Sequence, residues 1–146
     1  MFIQVDSTSI YSRLIEGEFV KYNHILPNSF ANGFVADKNA LLNSLERATI
    51  VAKNDRYNVV RFDIKEKIMT VSAKSEVGFV NENVNIKNDG KDMVIAFNGK
   101  FLSEYLRIVN GEFVKFYLNS AIDPCIIQEE GKEDFIYLVL PVSIND

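Results

Sequence analysis

A short apolar run that ends in a residue with a side-chain oxygen, followed at once by an amphipathic helical pattern, occurs twice in this chain. The first run is Gly33-Phe34-Val35-Ala36-Asp37 and the second Val94-Ile95-Ala96-Phe97-Asn98, which puts the two candidate N-caps, Asp37 and Asn98, 61 positions apart. A side-chain oxygen there accepts a hydrogen bond from one of the N–H groups left free in a first helical turn. After Asp37, Leu41, Leu42, Leu45, Ala48 and Ala52 keep helical spacing and leave Lys38, Asn43, Glu46 and Arg47 on other faces. After Asn98, Phe101, Leu102, Tyr105, Leu106 and Val109 do the same over a shorter stretch, and Asn110-Gly111 predicts a left-handed stop. Three β-patterned segments follow each helix: 57–64, 67–73 and 78–86, then 112–118, 125–130 and 134–142. Polar stretches at 65–67, 88–90 and 129–134 separate them as turns. Strand-helix-strand-strand-strand, performed twice, predicts an α+β domain with an internal βαβββ duplication. Its antiparallel sheet is covered on one face by two helices, because neither layer buries its apolar surface alone.

The first thirty residues fit neither repeat. Residues 2–6 and 9–17 read as strands with no helix of their own, which predicts that they pair with each other or with a neighbouring chain. Residues 24–28, with Pro27, read as a linker. The rest supports one core of ordinary domain size, at 146 residues with 47% hydrophobic and 25% charged. The single cysteine, Cys125, excludes an intrachain disulfide and fits a reducing compartment. No apolar run approaches the roughly 20 residues that span a bilayer, and residues 1–14 lack the layout of a signal peptide, so the expectation is a cytoplasmic protein with no membrane partner. With 16 Lys and Arg against 20 Asp and Glu, the net charge of -4 argues against tight gripping of nucleic acid by phosphate neutralisation.

The segment from Arg13 through Gly17, Phe19 and Tyr22 to Leu26-Pro27 carries a basic residue, Leu, an acidic residue, Gly, an aromatic, Tyr and Leu-Pro in that order. It resembles the join between the central and C-terminal domains of the bacterial DNA polymerase III beta subunit, the ring-shaped sliding clamp. Residues 39–62 resemble that family's first C-terminal-domain helix and following strand, 97–109 its second helix, and 134–144 its terminal strand and tail. Val20-Lys21 stands where the family usually has Pro-Asp, and His24 where arginine is frequent. A complete subunit has three such domains, so the resemblance assigns 1–26 to the end of the central domain with the linker, and 27–146 to the C-terminal domain.

The resemblance implies a non-catalytic processivity factor of DNA replication. Two subunits form a closed ring with helices facing double-stranded DNA and sheets facing outward. Such a ring holds DNA topologically and needs only weak phosphate contacts, in keeping with the net charge. The implied partners are the polymerase alpha subunit, the clamp loader and other proteins that dock short peptides with apolar anchors, besides a second copy of the subunit.

Carried over motif by motif, the resemblance lines the peptide-binding cleft with His24, Ile25, Tyr57, Asn98, Phe101, Pro124, Leu138, Val139, Leu140, Pro141 and Val142. From pattern alone, 138–142 reads more readily as a core strand, and Tyr57 and Phe101 as packing residues. Pro141 confines its strand to an edge or marks its end, where a peptide can approach. Arg47, Lys53, Arg56, Lys100 and Arg107 lie on or just after the helices as candidates to face DNA; a solvated, mixed-charge face reads equally well. Ile50 and Val51 match the family position that meets the partner subunit's N-terminal domain, or else pack in the core.

His24 is the only histidine, so neither a His-rich metal site nor a histidine-based triad is available, and no metal or other cofactor is implied. The carboxylates at 129–134 read as a charged hairpin turn. A small hydrolase using them is the weakest alternative. A free-standing clamp-fold module that binds peptides or itself, without encircling DNA, is the alternative of a different class.

Overall fold

The computed structural model describes residues 1–27, 29–53 and 57–144. At the start, β1 (Phe2–Val5) and β2 (Thr8–Tyr11) form an antiparallel hairpin in which Phe2 opposes Tyr11 and Val5 opposes Thr8. The two apolar runs pair with each other as predicted. The second strand stops at Tyr11, however, instead of running to Gly17, and every side chain of the hairpin is exposed. A 3₁₀ turn, Tyr22–His24, leads into the body of the domain.

The body runs β3 (Asn32–Asp37), α1 (Lys38–Ala52), β4 (Val59–Ile64), β5 (Ile68–Ser75), β6 (Gly78–Asn88), β7 (Met93–Asn98), α2 (Gly99–Ile108), β8 (Phe113–Leu118), β9 (Cys125–Glu129) and β10 (Tyr137–Val139). Both caps form. Asp37 accepts from the Ala40 N–H at 2.7 Å, and Asn98 Oδ1 accepts from Lys100 and Phe101 at 3.0 and 3.4 Å.

Three sequence expectations are corrected. Helix α2 ends without a left-handed residue: Val109 is extended at φ -76°, ψ 142°, its N–H returns to Tyr105 O, and neither Asn110 nor Gly111 has positive φ. At 111 the glycine leaves room for the Glu129 side chain, which a Cβ there would oblige to shift. The terminal strand spans only Tyr137–Val139, because the chain then leaves β9 to reach β7. Phe101, placed in the apolar stripe by spacing, is half exposed, while Leu102, Tyr105 and Leu106 are buried.

The sheet order is β10-β9-β8-β3-β6-β5-β4-β7, and every neighbouring pair is antiparallel. Each half of this order holds the three strands that follow one helix, capped by the opening strand of the other repeat. β3 pairs along its whole length with β8, and β7 with β4. The halves join only where Phe34–Ala36 of β3 meets Ile86–Asn88 of β6. The sheet then folds back on itself. Phe62 of β4 meets Phe116 of β8 edge-on at 6.4 Å, while Phe34 stacks on Phe116 at 4.5 Å. Leu41, Leu45, Ala48 and Ala52 of α1, with Leu102, Tyr105 and Leu106 of α2, close this core. The helices approach closely at Gly99, where a Cβ would run into Thr49 of α1 and Val60 of β4.

Candidate cleft and helix face

The tail after β10 crosses the junction of β7 and α2 and is held at two points. The Tyr137 hydroxyl donates to Phe101 O at 3.1 Å while its ring stacks on Tyr105 at 4.5 Å. Beyond Pro141, the Val142 N–H donates to Ala96 O of β7 at 2.8 Å. Between these ties Leu140 is 63% exposed, and Phe101, whose carbonyl takes the first tie, is 50% exposed. Two large apolar side chains are thus presented by anchored backbone. Asn98 sits at the same place, with its side chain occupied in capping α2.

Tyr57 belongs to this neighbourhood, since the adjacent Asn58 O accepts the Gly99 N–H at 2.9 Å; its ring is exposed. Leu138, Pro124, Pro141 and Val142 are half-buried. Val139 points into the core, as the strand's alternation requires, and contributes support instead of lining. His24 and Ile25 are exposed on the lead-in turn and take part in neither tie. Tyr137 and Tyr105, which seat the tail, were not picked out from sequence as site residues. The aromatic two places before Val139 in the last strand is the signal that could have found them.

Tyr105 is 1% exposed, and its hydroxyl has no hydrogen-bond partner among the described residues. Burial, with Glu129 nearby, pushes its pKa up to about 12. Glu129 is held below the usual carboxylate range by Lys132 at 2.6 Å and by the N–H groups of Gly111 and Asn110. The predicted acidic turn is therefore a local brace. Burial also pushes the Cys125 thiol up, which keeps it un-ionised. Among the described residues no cluster of three or more His, Cys, Asp or Glu is placed to hold a metal ion, and no helix is long and apolar enough to cross a membrane.

On the helix face the basic residues meet carboxylates. Arg47 binds Glu82 of β6 through Nε and Nη2, and Ser44 Oγ donates to the same carboxylate at 2.9 Å. This pairing lowers the pKa of Glu82 and raises that of Arg47. Arg107 Nη2 donates to Glu46 at 2.7 Å, and Lys100 lies 3.9 Å from Glu104. Lys53, Lys100 and Arg107 share a hollow of about 340 Å³ between the helices with Glu46 and Ile50. Arg56 lies outside the described residues.

Ile50 is 73% exposed, whereas Val51 packs partly against the core. Sequence reading placed a strand at 78–86 but did not single it out as part of a site; α1 meets it through the Arg47–Glu82 pair. β6 bonds β3 through Ile86–Asn88, so along most of Gly78–Asn85 one edge has no partner strand among the described residues, and Val77 and Phe79 at its start are exposed. The length of the pattern at 78–86 was the available signal, because a strand longer than its neighbour leaves an edge.

Two helices on a folded-back antiparallel sheet built from two interlocked βαβββ units, with an exposed apolar junction at the last strand, define a clamp-type domain. The family model described as DNA polymerase III beta subunit, C-terminal domain, matches residues 23–143, and the chain belongs to that family. It is 30% identical over 143 residues to the beta sliding clamp of Streptococcus pneumoniae, covering 96% of this chain and 38% of that one. A putative DNA polymerase III beta subunit from Eubacterium rectale superposes with a TM-score of 0.88 at 34% identity, over 98% of this chain and 39% of that chain. The beta subunit from Thermotoga maritima gives a TM-score of 0.88 at 27% identity, over 99% and 39%. The chain thus spans about 38% of the length of the curated relative from Streptococcus pneumoniae.

Proposed function

We propose that this chain works as the C-terminal part of a sliding clamp, a non-catalytic processivity factor of DNA replication in the cytoplasm. In this reading residues 1–26 are the end of a central domain and 27–146 the C-terminal domain. The observation that carries the proposal is the anchored tail, which holds Leu140 exposed between its ties to Phe101 and to Ala96, on either side of the α2 cap Asn98 in the chain. A peptide that buries one Leu or Phe anchor there gains roughly 1.5–3 kcal/mol, and polar groups at the rim fix its direction. The polymerase alpha subunit, the clamp loader and other clamp-binding proteins would dock through such peptides.

The free edge of β6, with Phe79 exposed at its start, supports a subunit contact in which a partner's strand continues the sheet, and Ile50, exposed on α1, is a further apolar side chain for such a contact. The cations that line the inter-helix hollow support weak, sequence-independent contact with double-stranded DNA, moderated by Glu46 and Glu104.

The test is binding of a fluorescent peptide of the glutamine-then-Leu-Phe type to this chain and to Leu140→Asp. Saturable binding that the variant abolishes is expected. Binding that survives Leu140→Asp would move the site away from the tail. A chain that binds no such peptide, yet self-associates, would favour the free-standing module.

A further inference from the structure

The sequence contains three Asn-Gly pairs: Asn32-Gly33, Asn98-Gly99 and Asn110-Gly111. In such a pair the glycine nitrogen can attack the asparagine side-chain carbon, because the missing Cβ leaves the approach open and the backbone free to turn. The structure holds the three pairs very differently. Asn32 lies in β3, its Oδ1 accepting from the Lys91 N–H at 3.0 Å, and Gly33 is in register with Tyr117 of β8. Asn98 caps α2 with its Oδ1, and the Gly99 N–H is committed to Asn58 O at 2.9 Å. Asn110 is exposed, follows the extended residue that ends α2, and belongs to no helix or strand; among the described residues its side-chain amide has no hydrogen-bond partner. Gly111 belongs to no strand ladder; its N–H serves the Glu129 side chain, whereas that of Gly99 serves a backbone carbonyl.

We propose that Asn110 is a site of spontaneous deamidation, selected by the fold over the other two pairs. The Gly111 nitrogen bonds to Asn110 Cγ as the Cγ–Nδ2 bond breaks, and the amide proton leaves with ammonia. Water then opens the resulting succinimide at either carbonyl, giving aspartate or isoaspartate. No oxidant, reductant or metal takes part. The product matters because of where the charge lands. A carboxylate at 110 stands at the negative end of the α2 dipole and beside Glu129, whose own charge is stabilised by the Asn110 and Gly111 N–H groups. Isoaspartate also lengthens the backbone between α2 and β8. The modification therefore loosens the end of the helix whose other end carries Asn98 and Phe101.

The test is to age the full chain at neutral and mildly alkaline pH and digest it with trypsin. Cleavage after Arg107 and Lys115 isolates Asn110 in fragment 108–115, Asn98 falls in 92–100, and Asn32 in 22–38. In the folded chain, fragment 108–115 should exchange NH for O several-fold faster than the other two, with both aspartate and isoaspartate forms present. In urea all three should change at similar rates, and Asn110→Gln should abolish the change in 108–115 alone. Asn110→Asp, made directly, should lower Tm by about 2–4 °C at neutral pH. The proposal fails if Asn98 in 92–100, or Asn32 in 22–38 as told apart from Asn23 and Asn28 by its fragment ions, changes first in the folded chain, or if 108–115 changes only in urea. An unaltered Tm for Asn110→Asp would overturn the structural consequence.

Discussion

Arg107 donates to Glu46 across the two helices at 2.7 Å, and the two residues occupy one and the same position in the two repeats. They stand 61 residues apart, the spacing that separates the caps Asp37 and Asn98. The duplication has placed opposite charges at equivalent sites that meet where the helices face each other.

This pair occupies a cation on the proposed DNA-facing surface. Glu46→Gln should free Arg107 and raise affinity for duplex DNA, steepening the salt dependence by about one counterion per phosphate gained. Binding titrations across a salt series check it. Equal affinity for both proteins would mean that Arg107 does not face DNA. The cost in stability should be small, about 0.2–1 kcal/mol, because both side chains are well exposed.

The Glu82 carboxylate predicts a pH dependence with a definite sign. Its folded-state pKa lies below the ordinary glutamate value of 4.5, chiefly because of Arg47. The stabilisation is thus complete above the unfolded value and is lost as pH falls through the folded one. Glu82→Gln should melt below the parent protein at pH 7, and the gap should close as both are taken into acid. A gap that persists at low pH would assign the loss to packing.

Tyr105→Phe should be neutral or stabilising by about 1 kcal/mol, because it removes a buried hydroxyl that has no partner in the described structure. Tyr105→Ala should cost about 3–5 kcal/mol, since the ring is fully buried and carries the stack with Tyr137. Phe101→Ala, at a half-exposed ring, should lower peptide binding far more than Tm. Denaturant melts and the peptide assay separate the three.

Removing residues 1–21 should leave the cooperative melt of the remaining domain nearly unchanged. Every side chain of that stretch is exposed, and an isolated two-stranded hairpin is marginal in water. Hydrogen exchange should show the β1–β2 amides unprotected beside those of β3 and β8. Strong protection there would reveal a partner covering the hairpin.

The features legible in the sequence were those fixed by a few neighbouring residues. Asp37 and Asn98 cap because the oxygen and the N–H it serves lie within three residues, and the strands of each repeat announce themselves by alternation. What escaped depends on contacts across the chain. Asn110-Gly111 has the chemistry of a left-handed stop, yet Gly111 answers to Glu129, which arrives from another strand. The pattern at 134–142 read as one strand, whereas the tie from Val142 to Ala96 is a tertiary event. The resemblance put both Val139 and Leu140 in the cleft lining, whereas the structure buries the first and exposes the second. Arg47 and Arg107 looked available because Glu82 and Glu46, their partners, are 35 and 61 residues away.

The exchange of opening strands between the halves of the sheet has a consequence for where such a domain comes from. A chain holding only the first β-α-β-β-β unit would offer an opening strand that its own unit receives along just three residues, Phe34–Ala36 on β6, and a half-sheet lacking its fourth member. Two copies would satisfy each other by trading that strand. The present domain is therefore built like an obligate dimer of half-length chains that have become one polypeptide. Its two halves should complement each other when supplied as separate peptides, and neither should fold alone.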